Sequence, residues 1–181
     1  MNSMSKDYHN HCNSNPCNSS PCKKEVKEPK SCPTIIKCGC PSSVTLPAIA
    51  ITDLLESRTF NVGTVTVDNS CICNPITKLE FSSNIITAVA LPITLNFQIF
   101  KLCRGQLNPT PVGPIWTYSR LIGVVEANTF SFDVCDCNSC FDECCTYTVV
   151  ATVIGLLAVG TSITNGTLIA TSTCGSSNSC C

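Results

Sequence analysis

The stretch Ile93-Thr94-Leu95-Asn96-Phe97-Gln98-Ile99-Phe100 alternates apolar and polar side chains with a period of two. In an extended chain that period places Ile93, Leu95, Phe97 and Ile99 on one face, the signature of a half-buried β-strand. Thr129-Phe130-Ser131-Phe132-Asp133-Val134 repeats the pattern, and the surrounding sequence is dense in Thr, Val, Ile and Phe, residues that fit a pleated surface. In Phe60-Asn61-Val62-Gly63-Thr64-Val65-Thr66-Val67 the apolar set changes parity at Gly63, so a β-bulge is expected there to restore the inward face. Asn165-Gly166, flanked by Ser162-Ile163-Thr164 and Thr167-Leu168-Ile169, carries the two-residue hairpin signal.

Helical periodicity never persists for ten residues, and Pro47, Pro75, Pro92, Pro109, Pro111 and Pro114 punctuate the joins. Strands are predicted over 43–51, 58–68, 76–89, 93–103, 113–122, 129–136, 145–155 and 158–173, the last open to a split at Asn-Gly. Eight or nine strands at this spacing predict an all-β, two-sheet sandwich, jelly-roll-like in its eight-stranded form. Trp116, Phe60, Phe81, Phe97, Phe130 and Phe132 are the expected core aromatics.

Residues 1–42 differ from this body. They are rich in Asn, Ser, Pro and Lys, and Cys12, Cys17 and Cys22 recur every five residues. Nothing there builds a core, so a flexible Cys-rich N-terminal arm is expected, followed by a β-sandwich over 43–173 and a Cys-bearing tail over 174–181. The arm carries six Lys against Asp7, Glu25 and Glu28, while the remainder is acidic, so arm and body are weakly complementary. Over the whole chain 11 Lys+Arg face 12 Asp+Glu, which leaves no basic surplus for nucleic acid. No apolar run has the length of a membrane span, and the polar first thirty residues show no secretory leader.

Seventeen cysteines among 181 residues are the outlying number. In the body they form tight groups: Cys71 and Cys73, Cys103, then Cys135, Cys137 and Cys140, then Cys144 and Cys145, with Cys174, Cys180 and Cys181 closing the chain. If Phe130, Phe132 and Val134 point inward, Cys135 and Cys137 face outward beside Asp133. Cys137-x-x-Cys140 matches half a zinc-ribbon site, but the second spaced knuckle is missing and His9 and His11 lie in the arm. A thioredoxin-like redox Cys-x-x-Cys requires a βαβ setting that this pattern lacks.

Disulfides are the preferred reading. An odd total leaves a thiol over for an intermolecular partner or for reactivity. Cys12, Cys17, Cys22, Cys32, Cys38 and Cys40 sit on an arm that can reach another subunit, where Cys135, Cys137, Cys140, Cys144 and Cys145 are candidate acceptors. Cys71, Cys73, Cys103, Cys174, Cys180 and Cys181 are further disulfide candidates, with connectivity left open. With both His in the arm no nucleophilic triad can be assembled, and Asp133, Asp136, Asp142 and Glu143 are read as a solvated acidic loop. No catalytic residue, cofactor or metal is therefore expected, and the chain is not read as an enzyme. Asn18-Ser19-Ser20 and Asn165-Gly166-Thr167 fit the glycosylation sequon only weakly in the absence of a leader.

Several strings resemble an uncharacterised clostridial Cys-rich domain family: Ser57-Arg58-Thr59-Phe60, Val65-Thr66-Val67-Asp68 leading to Cys71, Leu79-Glu80-Phe81-Ser82-Ser83 and Phe97-Gln98-Ile99-Phe100-Lys101-Leu102-Cys103. Trp116-Thr117-Tyr118-Ser119-Arg120, Phe130 through Cys140, and Glu143-Cys144-Cys145-Thr146-Tyr147-Thr148-Val149 extend it over about residues 32–155. That family implies no activity. The plan of Cys-rich arm plus small β-body is also similar to the endospore appendage subunits of Bacillus relatives, with a longer arm and more cysteines here. That likeness implies a pilus-like fibre whose subunits are linked by disulfides through the arm. The expectation built on it is a homopolymeric helical filament formed by strand augmentation of sandwich edges, with an anchoring protein on the spore coat or exosporium. The likeness also implies a location on the spore surface, reached without a leader and oxidised after the mother cell lyses. The alternatives are a zinc-binding or thiol-buffering spore protein on the same sandwich, and a monomeric binding module such as an adhesin.

Overall fold

The computed structural model describes residues 33–47, 58–72, 74–87, 92–120, 126–137, 144–154 and 160–175. Among them lie nine strands and no helix: β1 (Ile35–Cys38), β2 (Ser42–Thr45), β3 (Thr59–Asp68), β4 (Pro75–Thr87), β5 (Ile93–Cys103), β6 (Thr110–Arg120), β7 (Glu126–Asp136), β8 (Cys144–Ile154) and β9 (Ser162–Cys174). A five-stranded sheet runs β1-β9-β4-β7, with β2 also pairing β9, and a four-stranded sheet runs β3-β8-β5-β6. Taken as one split strand, β1 and β2 pair the last strand, β3 pairs β8, β4 pairs β7 and β5 pairs β6. These nested antiparallel pairs are the wrapped hairpin of a jelly roll, within the sandwich class expected from the number and spacing of the strands.

The core lies between the two sheets and is supplied chiefly by their central strands. Leu79, Phe81 and Ile85 of β4 and Ile163, Leu168 and Ala170 of β9 meet Leu95, Phe97 and Ile99 of β5 and Tyr147, Val149 and Ala151 of β8, all fully buried or nearly so. Phe132 of β7 stacks on Trp116 of β6 with ring centroids 4.1 Å apart and tilts against Phe81 at 5.2 Å, tying the sheets together at one side. Phe81, Phe97 and Phe132 are buried, and Phe60, Trp116 and Phe130 pack half-buried against them.

The expected bulge is present. Asn61 pairs Val150 and Gly63 pairs Val149, so Val62 is the extra residue, and Val62, Val65 and Val67 all face inward although their parity differs. Asn165-Gly166, by contrast, makes no hairpin. β9 runs through it, with Asn165 at φ 55° and the register slipping between Ser82 and Asn84 of β4 and between Ser42 and Val44 of β2. Two strands flank β9 on opposite sides, so the turn-prone pair is absorbed as a bulge inside a central strand. A Cβ on Gly166 would fall on the Val62 carbonyl oxygen of β3. Gly166→Ala is expected to lower stability by about 1–3 kcal/mol through overpacking against backbone that cannot swing aside; a denaturant midpoint unchanged from the parent would contradict this.

β1 was not foreseen. It lies within residues 1–42, so the boundary expected at 42/43 falls inside the strand region, and Lys37 and Cys38 belong to a sheet rather than to the arm. Of the first expected strand, 43–51, the structure gives Ser42–Thr45, and residues 48–51 lie outside the described residues.

Candidate functional site

Alternation and register bring most of the described cysteines to one end of the sandwich. Cys103 at the end of β5 and Cys145 near the start of β8 are cross-strand partners, and their sulfurs are bonded. Cys145, expected as an inter-subunit acceptor, is thus spent within the chain. Cys40, Cys71, Cys137, Cys144 and Cys174 are also disulfide-bonded. Except for Cys40, these residues lie beside the same end, where β3, β5, β7 and β9 finish and β4 and β8 begin. Cys12, Cys17, Cys22, Cys32, Cys73, Cys140, Cys180 and Cys181 lie outside the described residues, as do His9, His11, Asp142 and Glu143. Among the described residues no group of three or more His, Cys, Asp or Glu is placed to hold a metal.

Beneath these sulfurs sits a polar cluster that the sequence reading missed. Asp136 was expected in a solvated acidic loop, yet it continues the inward series of Phe132 and Val134 and is buried. Its Oδ2 meets Lys101 Nζ at 3.1 Å across the two sheets and accepts a hydrogen bond from the Tyr147 hydroxyl at 2.8 Å. Lys101 on β5 and Tyr147 on β8 are themselves register partners. A buried charge persists only when paired and hydrogen-bonded, and this cluster meets both conditions. Close by, Asn69 Nδ2 donates to Thr77 Oγ1 at 3.3 Å, and Thr77 Oγ1 lies 2.8 Å from Ser172 Oγ. The signal available in advance was parity: a strand over 129–136 with Phe132 inward requires Asp136 inward.

Two described cysteines remain thiols. Cys38 and Cys135 are both free and exposed. Cys135 faces outward beside Asp133, as alternation required, and stands directly across from Lys78 of β4. The hydrogen bond and charge of Glu80, at 2.9 Å, hold the Lys78 pKa above its ordinary value, helped by the charge of Asp133. Cys38 sits across from Ile169 of β9, in the same row as Glu80 and Asp133, while Cys135 shares its row with Ile36, Thr171 and Lys78. Both thiols therefore lie on the outer face of the five-stranded sheet, on its two terminal strands.

The four sheet edges are not equivalent. On β6 the edge carries Pro111 and Pro114, which have no N–H to donate, with Gly113 at φ 70° between them in a bulge where Gln98 Nε2 donates to the Val112 and Gly113 carbonyls at 3.1 and 3.3 Å. Along β3 the outer carbonyls are covered: Ser42 Oγ donates to Val62 O at 2.6 Å, and a Cβ on Gly39 would strike Thr64 O. Among the described residues β1 and β7 are each laddered on one side alone, and neither ladder strand contains proline. The arrangement leaves pairing capacity at the two ends of one sheet.

No curated protein matches the chain. A chain from the structure of the infectious bursal disease virus Gx strain is 12% identical with a TM-score of 0.48, over 83% of this chain and 36% of that one. A chain from the crystal structure of the T13 particle of the same virus is 10% identical with a TM-score of 0.48, over 83% and 35%. The enzymatically active domain of tailspike protein 4 of bacteriophage CBA120 is 16% identical with a TM-score of 0.37, over 75% and 19%. This chain thus spans about a third or less of the length of those chains, and no residue role is carried over from them. A family model, by contrast, matches residues 32–173, from the cysteine before β1 to the end of β9. The chain belongs to the family described as a domain of unknown function (DUF4489).

Proposed function

We propose that this protein is a structural, self-assembling subunit of a spore or cell-surface appendage, polymerising by β-strand augmentation and cross-linked between subunits by disulfides through its N-terminal arm. The observation that supports the reading is the polarity of the open edges. In the order β1-β9-β4-β7 every neighbour is antiparallel, so β7 runs antiparallel to β1. A second copy brought up by translation sets its β1 beside β7 of the first and continues the antiparallel ladder. Such a contact joins two different edges and does not close on itself, which generates a filament.

Strand pairing alone holds such copies weakly. β1 is four residues long, and a handful of backbone hydrogen bonds at about 0.5–1.5 kcal/mol each falls short of the roughly 8 kcal/mol of a micromolar complex. Covalent bonds from arm thiols such as Cys12, Cys17, Cys22 and Cys32 would make the assembly durable. A spore-surface location, with an anchoring protein in coat or exosporium, fits a thiol-rich protein that meets oxidant only after release.

Electron microscopy of native material with and without reductant tests the reading. Ordered fibres are expected that survive boiling detergent and come apart when thiol is added. Isolated globules, monomer on a non-reducing gel, and zinc bound to titratable thiols would instead establish a metal-binding or thiol-buffering protein.

A further inference from the structure

The two thiols left over on the jelly roll have nowhere to go within their own sheet. Cys38 and Cys135 are separated by three strand intervals and by two residues along the strands, about 16 Å at ordinary sheet spacings. A disulfide needs Cα atoms within about 7 Å. Both strands are laddered into the sheet, so the pair cannot close without dismantling it. Both sulfurs are nevertheless exposed, unbonded and turned to the same outer face, while every other described cysteine is bonded.

We propose that Cys135 on β7 of one copy forms a disulfide with Cys38 on β1 of the next, joining five-stranded sheets edge to edge. This rests on the assembly reading above and adds to the arm a direct link between bodies. Three features carry it. The thiols stand on the two edges of that sheet that remain open, one on each. β7 and β1 of a translated neighbour are antiparallel, so a shift of register can set the two cysteines opposite each other as cross-strand partners. Within one copy Cys135 shares a row with Ile36, and bringing Cys38 opposite it shifts the register by two residues. An even shift preserves the pleat, so both outer faces stay on one side. The shift adds a stagger of about 7 Å per copy, and the chain of copies climbs rather than closing.

The chemistry is an oxidation. Two thiols lose two protons and two electrons, the S–S bond forms, and dioxygen takes up both to leave hydrogen peroxide. Because the link joins unlike cysteines, each copy spends one thiol on each side, and the product is a chain without a fixed length.

The test uses the full-length protein. Unlabelled and nitrogen-15-labelled chains are reduced, mixed, oxidised in air and digested without reductant for mass spectrometry. The expected product is a Cys38–Cys135 cross-linked peptide pair in which light and heavy partners occur together. Cys135 found bonded to a cysteine of residues 1–32, or to Cys135 of another copy, or still open to alkylation in the polymer, overturns the proposal. Cys38→Ser and Cys135→Ser, both at exposed positions, are run beside the parent on a non-reducing gel. Each is expected to lose this link to the same extent, including the ladder it produces. If fibres and ladder persist unchanged in both variants, the body-to-body link fails while assembly stands. If the parent stays monomeric in air with both thiols free, the link and the assembly reading fail together.

Discussion

Asp136→Ala is expected to destabilise the sandwich by about 3–5 kcal/mol, the cost of removing one partner of a buried ion pair. Lys101 and Asp136 side chains are each only 5% exposed, so water cannot replace the lost partner. The Tyr147 hydroxyl loses its acceptor in the same step. The pair bridges β5 of one sheet and β7 of the other, so the loss also falls on the inter-sheet contact. Replacing all three together, as Lys101→Met, Asp136→Leu and Tyr147→Phe, is expected to recover most of the stability, because the ion pair and its hydrogen bond are then removed as a unit rather than broken on one side. Urea unfolding of the single and triple variants measures both quantities. A triple variant as unstable as Asp136→Ala would show that the cluster does more than neutralise itself.

Removal of the Cys103–Cys145 bond, as Cys103→Ala with Cys145→Ala, is the second large effect. The two residues are 42 apart in sequence, and closing a loop of that size restricts the unfolded chain by about 4 kcal/mol. The bond joins register partners at the ends of β5 and β8 that pairing already brings together, so little of the native structure should change with its loss. The expected signature is a lower midpoint in thermal unfolding, with the folded-state circular dichroism retained. A midpoint equal to the parent's would mean that the unfolded chain is held together in some other way, for instance by the neighbouring disulfides of Cys144 and Cys71.

These two effects, together with the proposed thiol link, separate the roles of sulfur in this molecule. The bonded cysteines other than Cys40 stand over the polar cluster at one end, where Cys103–Cys145 ties β5 to β8. The two thiols stand apart from them, on the outer face of one sheet, where they are available to something beyond the chain.

The strands were legible because alternation is a local property. β5 was read from the sequence to the residue, and β3, β4, β7 and β8 to within three residues, because each buries one face and exposes the other. β1 escaped because four residues flanked by Pro33 and Gly39 carry no usable period, and Ile36 of that strand is 65% exposed. Asn165-Gly166 misled for the opposite reason. Its local preference for a positive φ is real and Asn165 adopts it, but the turn it favours was overruled by strands pairing on both sides. For Asp136 the residue type suggested solvent, while its position in the alternation placed it in the core.

What the amino-acid sequence determined by itself is the class of fold, its inward faces, the Gly63 bulge and the outward aim of Cys135, all consequences of residues interacting with their near neighbours along the chain. What tertiary structure alone decided is which sulfurs meet, which edges stay open, and which carboxylate finds an ammonium. Those depend on register between strands tens of residues apart, and register is set by the packing of two whole sheets against each other rather than by any short stretch of either.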